Sequence, residues 1–446
     1  MHTLEQLRSG QLAGTRRLDL SANLQTLPAE VYDLADSLEV LNLSGNQLGS
    51  LPSDITRLHR LKVLFCSGNP FTRLPDVLGE CASLQVVGFK SCGIAEVPGD
   101  ALPPQLRWLI LTDNAVSKLP TELGDRAALQ KLMLAGNRLR QLPESMAQGQ
   151  HLELLRLSAN QLVTVPGWLT ALPRLSWLAL AGNPFGWKRV PSPPLNPVRW
   201  SDLQIDALLG EGASGHIYRV HHASHPKGLA LKLFKGEMTS DGLPEHELAA
   251  SLAAGEHPVL CTPSGELVAH PQGARGLLLP VIASDYINLA GPPSLDTCTR
   301  DVYPPQMQMT VSMALQLAEQ IAGAVAHLHQ RGVMHGDLYA HNILWSPVSG
   351  KALLSDFGAA TLTPGPQEPL SRALQALEVR AFGCLLEELL AIAEPLADAC
   401  SALTSMESLA KACTSLQPSS RPTMAEVSEQ LSGLFQSIVK STQQRI

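Results

Sequence analysis

The residues of this chain that could do chemistry stand in a short series of motifs in its second half. In order, these are Gly210-Glu-Gly212-Ala-Ser-Gly215, Leu229-Ala-Leu-Lys232, His335-Gly-Asp337 with Asn342 five residues on, and Asp356-Phe-Gly358. Glycines let a loop backbone come close to a phosphate group without a Cβ in the way, and carboxylates suit hard cations. A glycine-rich loop alone is a weak signal, because any tight hairpin can use one. The order and spacing of the whole series are hard to produce by chance.

The series resembles the catalytic motifs of the protein kinase family. The resemblance implies that the glycine-rich loop and the strand lysine bind ATP. The residues concerned are Gly210, Glu211, Gly212, Ala213, Ser214, Gly215, Ile217 and Lys232. In the kinase pattern the lysine also pairs with a helix glutamate. Glu247 is the candidate, because residues 247–258 resemble that helix and its His-Pro exit, and Glu245 is the alternative.

The same resemblance gives roles to the residues that follow. Asp337 matches the residue that accepts or orients the proton of the substrate hydroxyl, and it completes the catalytic set with the lysine and glutamate just named. Asn342 and Asp356 match the ligands of Mg²⁺, so ATP and Mg²⁺ are the expected cofactors. His335 is interpreted as a structural histidine, and His341 is assigned no role.

Sequence patterns place these motifs on the elements that a kinase fold requires. Strands are predicted on either side of the glycine-rich loop, at residues 201–208 and 216–220. A long helix is predicted at residues 311–330 and ends at Gly332, just before the second motif. Residues 378–387 resemble the buried helix that the family calls αF.

Several departures from the family pattern concern the substrate side of the site. His-Gly-Asp lacks the arginine that normally receives an activation-loop phosphate, and Tyr339 stands where serine/threonine kinases usually carry lysine. Asp356 and Glu378 are 22 residues apart with no Ala-Pro-Glu between them, and Glu378 occupies the family's αF aspartate position. Because the ATP and Mg²⁺ residues all remain, we interpret the chain as an active serine/threonine protein kinase. The alternative is a weak or inactive pseudokinase that acts as a scaffold.

The first half of the chain is repetitive. Eight positions recur at intervals of 22 or 23 residues, namely Asn23, Asn46, Asn69, Cys92, Asn114, Asn137, Asn160 and Asn183. Around each runs the pattern Leu-x-x-Leu-x-Leu-x-x-Asn-x-Leu, which resembles the leucine-rich repeat family. No single coil can bury its leucines, so the coils are expected to stack on a shared core. The predicted fold is an α/β leucine-rich-repeat solenoid followed by an α+β bilobal protein kinase-like domain.

The outward-facing positions of the repeat strands hold any binding information, because the scaffold uses the leucines and asparagines. Apolar side chains predominate in the middle of that concave surface, which is typical of a protein-docking face. The residues predicted to bind a partner protein are Phe65, Trp108, Ile110, Met133 and Trp177. The other interpretation is that neighbouring residues or the kinase domain cover them.

The expected domains follow from these patterns. They are an N-terminal cap (residues 1–14), eight leucine-rich repeats (15–186), a proline-rich linker (187–200) and the kinase domain (201–440). The linker assignment rests on four prolines among residues 190–197, since such a sequence favours an extended spacer.

Charge and composition argue against several classes of protein. Residues 1–200 hold 19 Lys and Arg against 16 Asp and Glu, and residues 201–446 hold 14 against 24. An acidic second half without a basic block argues against nucleic-acid and membrane partners. The cysteines lack metal-binding spacing, the first residues lack a signal peptide's apolar core, and Glu387 and Glu388 break the longest apolar stretch. The sequence therefore predicts a soluble, cytoplasmic protein.

Overall fold

The computed structural model describes residues 1–185, 187, 195–212, 214–236, 238–239, 241–394 and 400–443. The chain divides into two compact units. The first consists of Met1–Leu172 with Gly182–Phe185, and the second consists of Pro173–Ala181 with Gly186–Ile446. This division differs from the expected boundary at residue 186, because part of the eighth repeat copy belongs to the second unit.

The first unit is built from short parallel strands that alternate with 3₁₀ helices. Its strands are β1 (Arg17–Asp19), β2 (Val40–Asn42), β3 (Val63–Phe65), β4 (Val86–Gly88), β5 (Trp108–Ile110), β6 (Lys131–Met133) and β7 (Leu154–Arg156). Each strand pairs with the next in parallel register. The 3₁₀ helices are Ala29–Leu34, Ser53–Arg57, Asp76–Glu80, Gly99–Ala101, Thr121–Asp125, Glu144–Gln148 and Gly167–Ala171. A short helix, α1 (Leu4–Arg8), precedes them and is capped by Thr3.

The recurring leucines and asparagines form the scaffold of this unit, as the sequence predicts. The middle residue of each strand is fully buried, as Leu41 and Leu64 show. The amide of Asn46 donates to the carbonyl oxygens of Leu20 and Leu43 at 2.9 and 2.8 Å, and its oxygen accepts from Leu24 N at 3.0 Å. These bonds satisfy backbone groups that stacking of the coils removes from water. The predicted leucine-rich-repeat architecture is confirmed.

The second unit contains a six-stranded sheet. Its strands are β9 (Asn196–Arg199), β10 (Gln204–Glu211), β11 (Gly215–His222), β12 (His225–Phe234), β13 (Gly265–Val268) and β14 (Gly276–Pro280), in the order β10-β11-β12-β14-β13-β9. The strand β8 (Trp177–Ala179) also lies in this unit. The six-stranded sheet contributes a hydrophobic core of Val220, Leu229, Leu231, Leu267 and Leu278.

The end of the expected linker is part of this sheet. Asn196–Arg199 pairs in parallel with Gly265–Val268, so the expectation that residues 187–200 form only a spacer is wrong for its last residues. Residues 188–194, which hold most of the prolines, lie outside the described residues.

Helices and short strands complete the second unit. The helices are α2 (Pro244–Ala254), α3 (Val311–Gln330), α4 (Pro369–Ile392), α5 (Cys400–Cys413) and α6 (Met424–Gln443), with 3₁₀ helices at Trp200–Asp202, Ala340–Asn342 and Pro418–Ser420. The short strands are β15 (Ile287–Asn288), β16 (Met309–Thr310), β17 (Val333–Met334), β18 (Ile343–Trp345), β19 (Ala352–Leu354), β20 (Thr361–Leu362) and β21 (Ala393–Glu394). The observed α3 coincides with the predicted helix at residues 311–330. Among the described residues, no helix combines the length and apolar character that crossing a bilayer requires.

Candidate active site

A buried ion pair joins the sheet of the second unit to helix α2. Lys232 lies near the C-terminal end of β12, paired with Ile217 on one side and Leu277 on the other. Its Nζ hydrogen-bonds to Oε1 of Glu247, and the two side chains are 12% and 5% exposed. Glu245, the alternative partner, is exposed to solvent. The structure therefore pairs Lys232 with Glu247, as the first choice from the sequence had it.

The lysine of this pair is held in its charged form. Burial alone would lower the pKa of Lys232, but the carboxylates of Glu247 and Asp356 raise it by more, so that the pKa lies above its ordinary value. A buried ammonium that stays charged offers a fixed positive group in a site of low dielectric. The effect of Asp356 on this pKa shows that its carboxylate lies within electrostatic reach of Lys232, although the two residues are more than 120 positions apart in the sequence.

The glycine-rich loop is the turn of the β10–β11 hairpin. The N–H of Gly212 donates to Gly215 O at 2.9 Å. A Cβ at Gly215 would lie 2.5 Å from Leu233 O, so the adjacent strand requires that glycine. A Cβ at Gly210 or Gly212 would meet nothing within 4 Å. The packing of the chain therefore explains Gly215 but not the other two glycines.

Glu211, the residue between the first two glycines, contacts a lysine beyond the loop. The carboxylate of Glu211 accepts from Nζ of Lys235 at 2.6 Å, and the same Nζ donates to Gly212 O at 3.2 Å. The lysine thereby ties the side chain of Glu211 to the loop itself. Ala213 lies outside the described residues.

The loop that carries Asp337 and Asn342 follows helix α3 and strand β17. The Nδ2 of Asn342 donates to Asp337 O at 2.9 Å and to Asp337 Oδ2 at 2.8 Å. The backbone oxygen of Asn342 accepts from the N–H of Ser355 at 2.9 Å. These bonds fix the carboxylate and the amide against each other and attach both to the residue before Asp356.

His335 supports this loop from below. It is fully buried, its Nε2 lies 2.9 Å from Ser355 O, and its Nδ1 accepts from Asp337 N–H at 3.3 Å. Both ring nitrogens therefore contact the backbone, and the histidine is structural, as the sequence indicates.

Asp356 adopts a left-handed backbone conformation, with φ of 60°. Its Oδ1 accepts from the N–H of Gly358 at 3.0 Å. A non-glycine residue at positive φ is uncommon and costs energy, although aspartate tolerates it better than most. This conformation occurs two residues after the end of β19.

Glu378 holds the same loop from helix α4. Its Oε1 accepts from the N–H of Gly336 at 2.6 Å and its Oε2 lies 2.8 Å from Nε2 of His329. Burial alone would raise the pKa of Glu378, but the hydrogen bond with His329, the electrostatic interaction with that histidine and the bond from Gly336 N–H lower it by more. Glu378, where the family carries the αF aspartate, therefore accepts a hydrogen bond from the loop backbone.

The glycine of His-Gly-Asp has a steric explanation. Gly336 has φ of +74°, and a Cβ there would lie 2.5 Å from Ala359 O and 2.8 Å from Leu178 O. Any side chain would collide with two backbone oxygens, in a conformation that favours glycine. The arginine that the family carries at this position cannot be accommodated.

A histidine–aspartate pair beside the loop that carries Asp337 and Asn342 was not predicted from the sequence. The N–H of His341 donates to Oδ2 of Asp301 at 2.9 Å, and its Nδ1 lies 2.8 Å from Oδ1. Burial would lower the pKa of His341, but the bond to Asp301 and the charges of Asp301, Asp337 and Asp356 raise it by more. The position of His341 next to Asn342 was the available signal, whereas Asp301 lies 40 residues away in an irregular segment.

One predicted partner-binding residue is not available to a partner. Trp177 is 1% exposed and stacks on Tyr339 at 4.3 Å between ring centroids and 7° between planes. The prediction that Trp177 binds a partner protein is wrong, because Tyr339 of the predicted kinase domain covers its face, which is the alternative that the sequence left open. Phe65, Trp108, Ile110 and Met133 are partly exposed in the first unit.

Because Lys232 with Glu247 and Asp337 with Asn342 and Asp356 occur in one unit, its architecture is that of a protein kinase domain. Residues 203–380 match the family model "Protein kinase domain". Residues 127–185 match "Leucine rich repeat", and residues 36–97 match "Leucine Rich repeats (2 copies)". The chain thus combines leucine-rich repeats with a protein kinase domain.

Curated relatives agree with the assignment of a protein kinase domain. The serine/threonine-protein kinase PknI of Mycobacterium tuberculosis is 30% identical over 186 residues, which cover 39% of this chain and 29% of PknI. The serine/threonine-protein kinase PknJ of the same species is 28% identical over 171 residues, 36% of this chain and 26% of PknJ. The serine/threonine-protein kinase SBK2 of Mus musculus is 27% identical over 151 residues, 34% of this chain and 38% of SBK2. The chain therefore spans only about a quarter to two fifths of the length of these relatives.

The His341–Asp301 pair predicts a pH-dependent stability. Because the pKa of His341 is raised in the folded state, its stabilising contribution is full below the pKa of an unfolded histidine, about 6.5. That contribution is lost as pH rises through the folded pKa. We expect His341→Gln to lower the free energy of unfolding of the second unit more at pH 5.5 than at pH 8.5, measured by urea denaturation.

The control for this experiment is His221→Gln. Nε2 of His221 lies 3.6 Å from Oδ2 of Asp206, and the two side chains are 53% and 47% exposed. Such exposed pairs contribute little to the free energy of unfolding. Equal destabilisation by His341→Gln at both pH values would show that the charged form of the ring is not stabilised by Asp301.

Proposed function

We propose that this chain is an ATP-dependent protein kinase that transfers the γ-phosphoryl group of ATP to a serine or threonine hydroxyl of a protein. The observation that carries the proposal is the pairing of Asp337 with Asn342, within the same unit as the buried Lys232–Glu247 pair and Asp356. Phosphoryl transfer depends on positioning and on electrostatic stabilisation by such groups. The names of the relatives support a hydroxyl of the serine/threonine type.

In this proposal each residue has one task. Lys232, oriented by Glu247, contacts the phosphates of ATP. Asp337 accepts or orients the proton of the attacking hydroxyl, and the bond from Asn342 Nδ2 holds its carboxylate in place. The backbone of the glycine-rich loop covers the phosphates.

The residues present also fit Mg²⁺. Asp356 supplies a carboxylate, and because the nitrogen of the Asn342 amide donates to Asp337, its oxygen is the atom left to bind a cation. Carboxylate and amide oxygens are the ligands that hard cations prefer. When bound, Mg²⁺ would neutralise charge on the phosphates.

The test of this proposal is transfer of labelled γ-phosphate to a protein substrate by the full chain. Asp337→Asn and Lys232→Met should each lower the rate by a factor of about 10² or more, because each removes a group that acts in the transition state. The matched controls Asp202→Asn and Lys351→Met change exposed residues and should keep the wild-type rate. Equal incorporation by wild type and the two site variants would contradict the kinase proposal and favour the pseudokinase scaffold.

The loop glycines give a second prediction. If Gly210 and Gly212 exist for the approach of phosphates, Gly212→Ala should leave the melting temperature of the free protein unchanged and weaken Mg-ATP binding roughly tenfold, the effect of a misplaced methyl group in a binding site. Gly215→Ala should instead destabilise the second unit by about 1–3 kcal/mol, because its Cβ overpacks the adjacent strand. Calorimetric titration and thermal denaturation measure the two effects. Nucleotide affinity unchanged in Gly212→Ala would contradict this assignment.

We further propose that the leucine-rich repeats bind the protein that is phosphorylated, or a regulator, through Phe65, Trp108, Ile110 and Met133. The Nε1 of Trp108 lies 3.3 Å from Met133 Sδ, and Nζ of Lys131 lies 4.1 Å from the centre of the indole ring. These contacts hold the indole rigidly while it stays partly exposed, and rigid aromatic side chains are typical anchors of protein interfaces. A docked protein would be phosphorylated faster because its effective concentration is raised.

Substitution of this patch tests the docking proposal. Trp108→Ser and Phe65→Ser should reduce phosphorylation of the docked protein substrate in cell extract at least tenfold, while phosphorylation of a short generic peptide stays within twofold of wild type. Val163→Ser, at a residue that is 60% exposed and outside the patch, is the control. Unchanged labelling of protein substrates by both patch variants would rule the patch out.

The domain limits and the cellular location belong to the same proposal. Repeats over residues 15–186 would recruit the partner, with the cap at residues 1–14, and residues 201–440 would catalyse. Segment 173–181 and β9 have to be added to the catalytic part. We place the protein in the cytoplasm, where free thiols such as those of Cys66, Cys92 and Cys384 stay reduced.

A further inference from the structure

Segment 173–181, the part of the eighth repeat copy that lies in the second unit, contacts the catalytic loop directly. The Nε1 of Trp177 donates to Leu338 O at 2.9 Å, and the indole stacks on Tyr339. Both residues follow Asp337 immediately. Asp337 is thus held on its C-terminal side by one tryptophan.

The same segment also borders the catalytic loop on the other side of Asp337. Leu178 O is one of the two oxygens that leave no space for a Cβ at Gly336. The N–H of Leu180 donates to Oγ1 of Thr361 at 3.0 Å, in the segment that follows Asp356. The segment therefore contacts both chain stretches that carry the carboxylates of the site.

Two arginines anchor the segment to the helices of the second unit. Nη2 of Arg421 donates to Pro173 O at 2.7 Å, and Nε of Arg380 donates to Arg174 O at 3.2 Å. Both side chains are buried. These charge-assisted bonds fix the start of the segment, which positions Trp177 four residues later.

We propose that Trp177 is a positioning residue of the kinase, which acts through Leu338 and Tyr339 to hold Asp337 for phosphoryl transfer. This inference rests on the proposed function. It also explains why the position two residues after Asp337 carries tyrosine: an aromatic ring stacks on the indole, and a lysine side chain could not do so in the same way.

The stretch after Asp356 indicates that this arrangement does not depend on phosphorylation of the kinase itself. Between Asp356 and Pro369 the hydroxyl-bearing residues are Thr361 and Thr363. They are 2% and 7% exposed, and their hydroxyl groups are bonded to Leu180 N and to Gly332 O. Neither hydroxyl is accessible for modification. Segment 173–181 would therefore stabilise the active arrangement without a phosphorylation step.

The exposure of the loop residues favours positioning over inhibition. Gly336, Leu338 and Tyr339 are buried, whereas Asp337 stays partly exposed. The segment thus covers the residues beside the catalytic carboxylate and leaves part of the carboxylate residue open to solvent.

The test compares Trp177→Ala, Trp177→Leu and Trp177→Phe in the full chain, with γ-phosphate transfer to a generic peptide as the reaction. We expect kcat to fall at least tenfold in the alanine and leucine variants, while KM for ATP stays within twofold. Phenylalanine, which keeps a stacking ring but lacks the N–H donor, should restore part of kcat. Trp168→Ala, a partly buried tryptophan of the first unit, should keep the wild-type values.

Other outcomes would overturn the inference. Unchanged kcat in all three variants would show that Trp177 does not position the loop, and increased kcat would show that the segment inhibits. If the alanine variant fails to fold, the leucine and phenylalanine variants decide by the same split between kcat and KM. Phosphatase treatment of the wild type should leave kcat within twofold, and a large loss would contradict independence from phosphorylation. Absence of transfer by the wild type would instead refute the proposed function, and the inference with it.

Discussion

The buried carboxylate of Glu378 is the constraint on which the loop that carries Asp337 depends. One of its oxygens accepts from the backbone of Gly336 and the other contacts His329, so that helix α3, helix α4 and the loop share one charge. Removing a carboxylate from water costs several kcal/mol, and breaking such a buried pair costs about 3–5 kcal/mol. The position of Gly336 is therefore set by helices α3 and α4, and Asp337, the next residue, is held in place with it.

The departures of this chain from the usual kinase motifs are related to one another. The glycine at position 336 leaves space for Leu178 O, Tyr339 receives the indole of Trp177, and Glu378 reaches the loop backbone in place of an aspartate. Taken singly from the sequence, each substitution resembles the loss of a functional group. In the structure each of the three residues makes a specific contact. Together these contacts hold the loop in a way that the usual kinase motifs do not provide.

The residues proposed to act on ATP could be predicted because their motifs are local. Asp337 and Asn342 are five residues apart, and Lys232 and Glu247 are 15 apart on a strand and the helix that follows it. The repeats were predictable for the same reason, since one spacing recurs in every coil. Pairs such as His341 with Asp301 and Trp177 with Tyr339 join irregular or distant segments, where no periodicity relates one residue to the other. The strand Asn196–Arg199 was missed because a proline-rich stretch resembles a spacer, although an edge strand tolerates proline.

Because segment 173–181 belongs to the second unit, the number of repeats in this chain cannot change equally at every position during evolution. Solenoids gain and lose internal copies readily, because each coil contacts only its neighbours. The eighth copy is different, since its strand residues contact the loop that carries Asp337 as well as belonging to a coil. Duplication or deletion would therefore be tolerated among the earlier copies, while the last copy would be inherited together with the kinase domain as a single unit of selection.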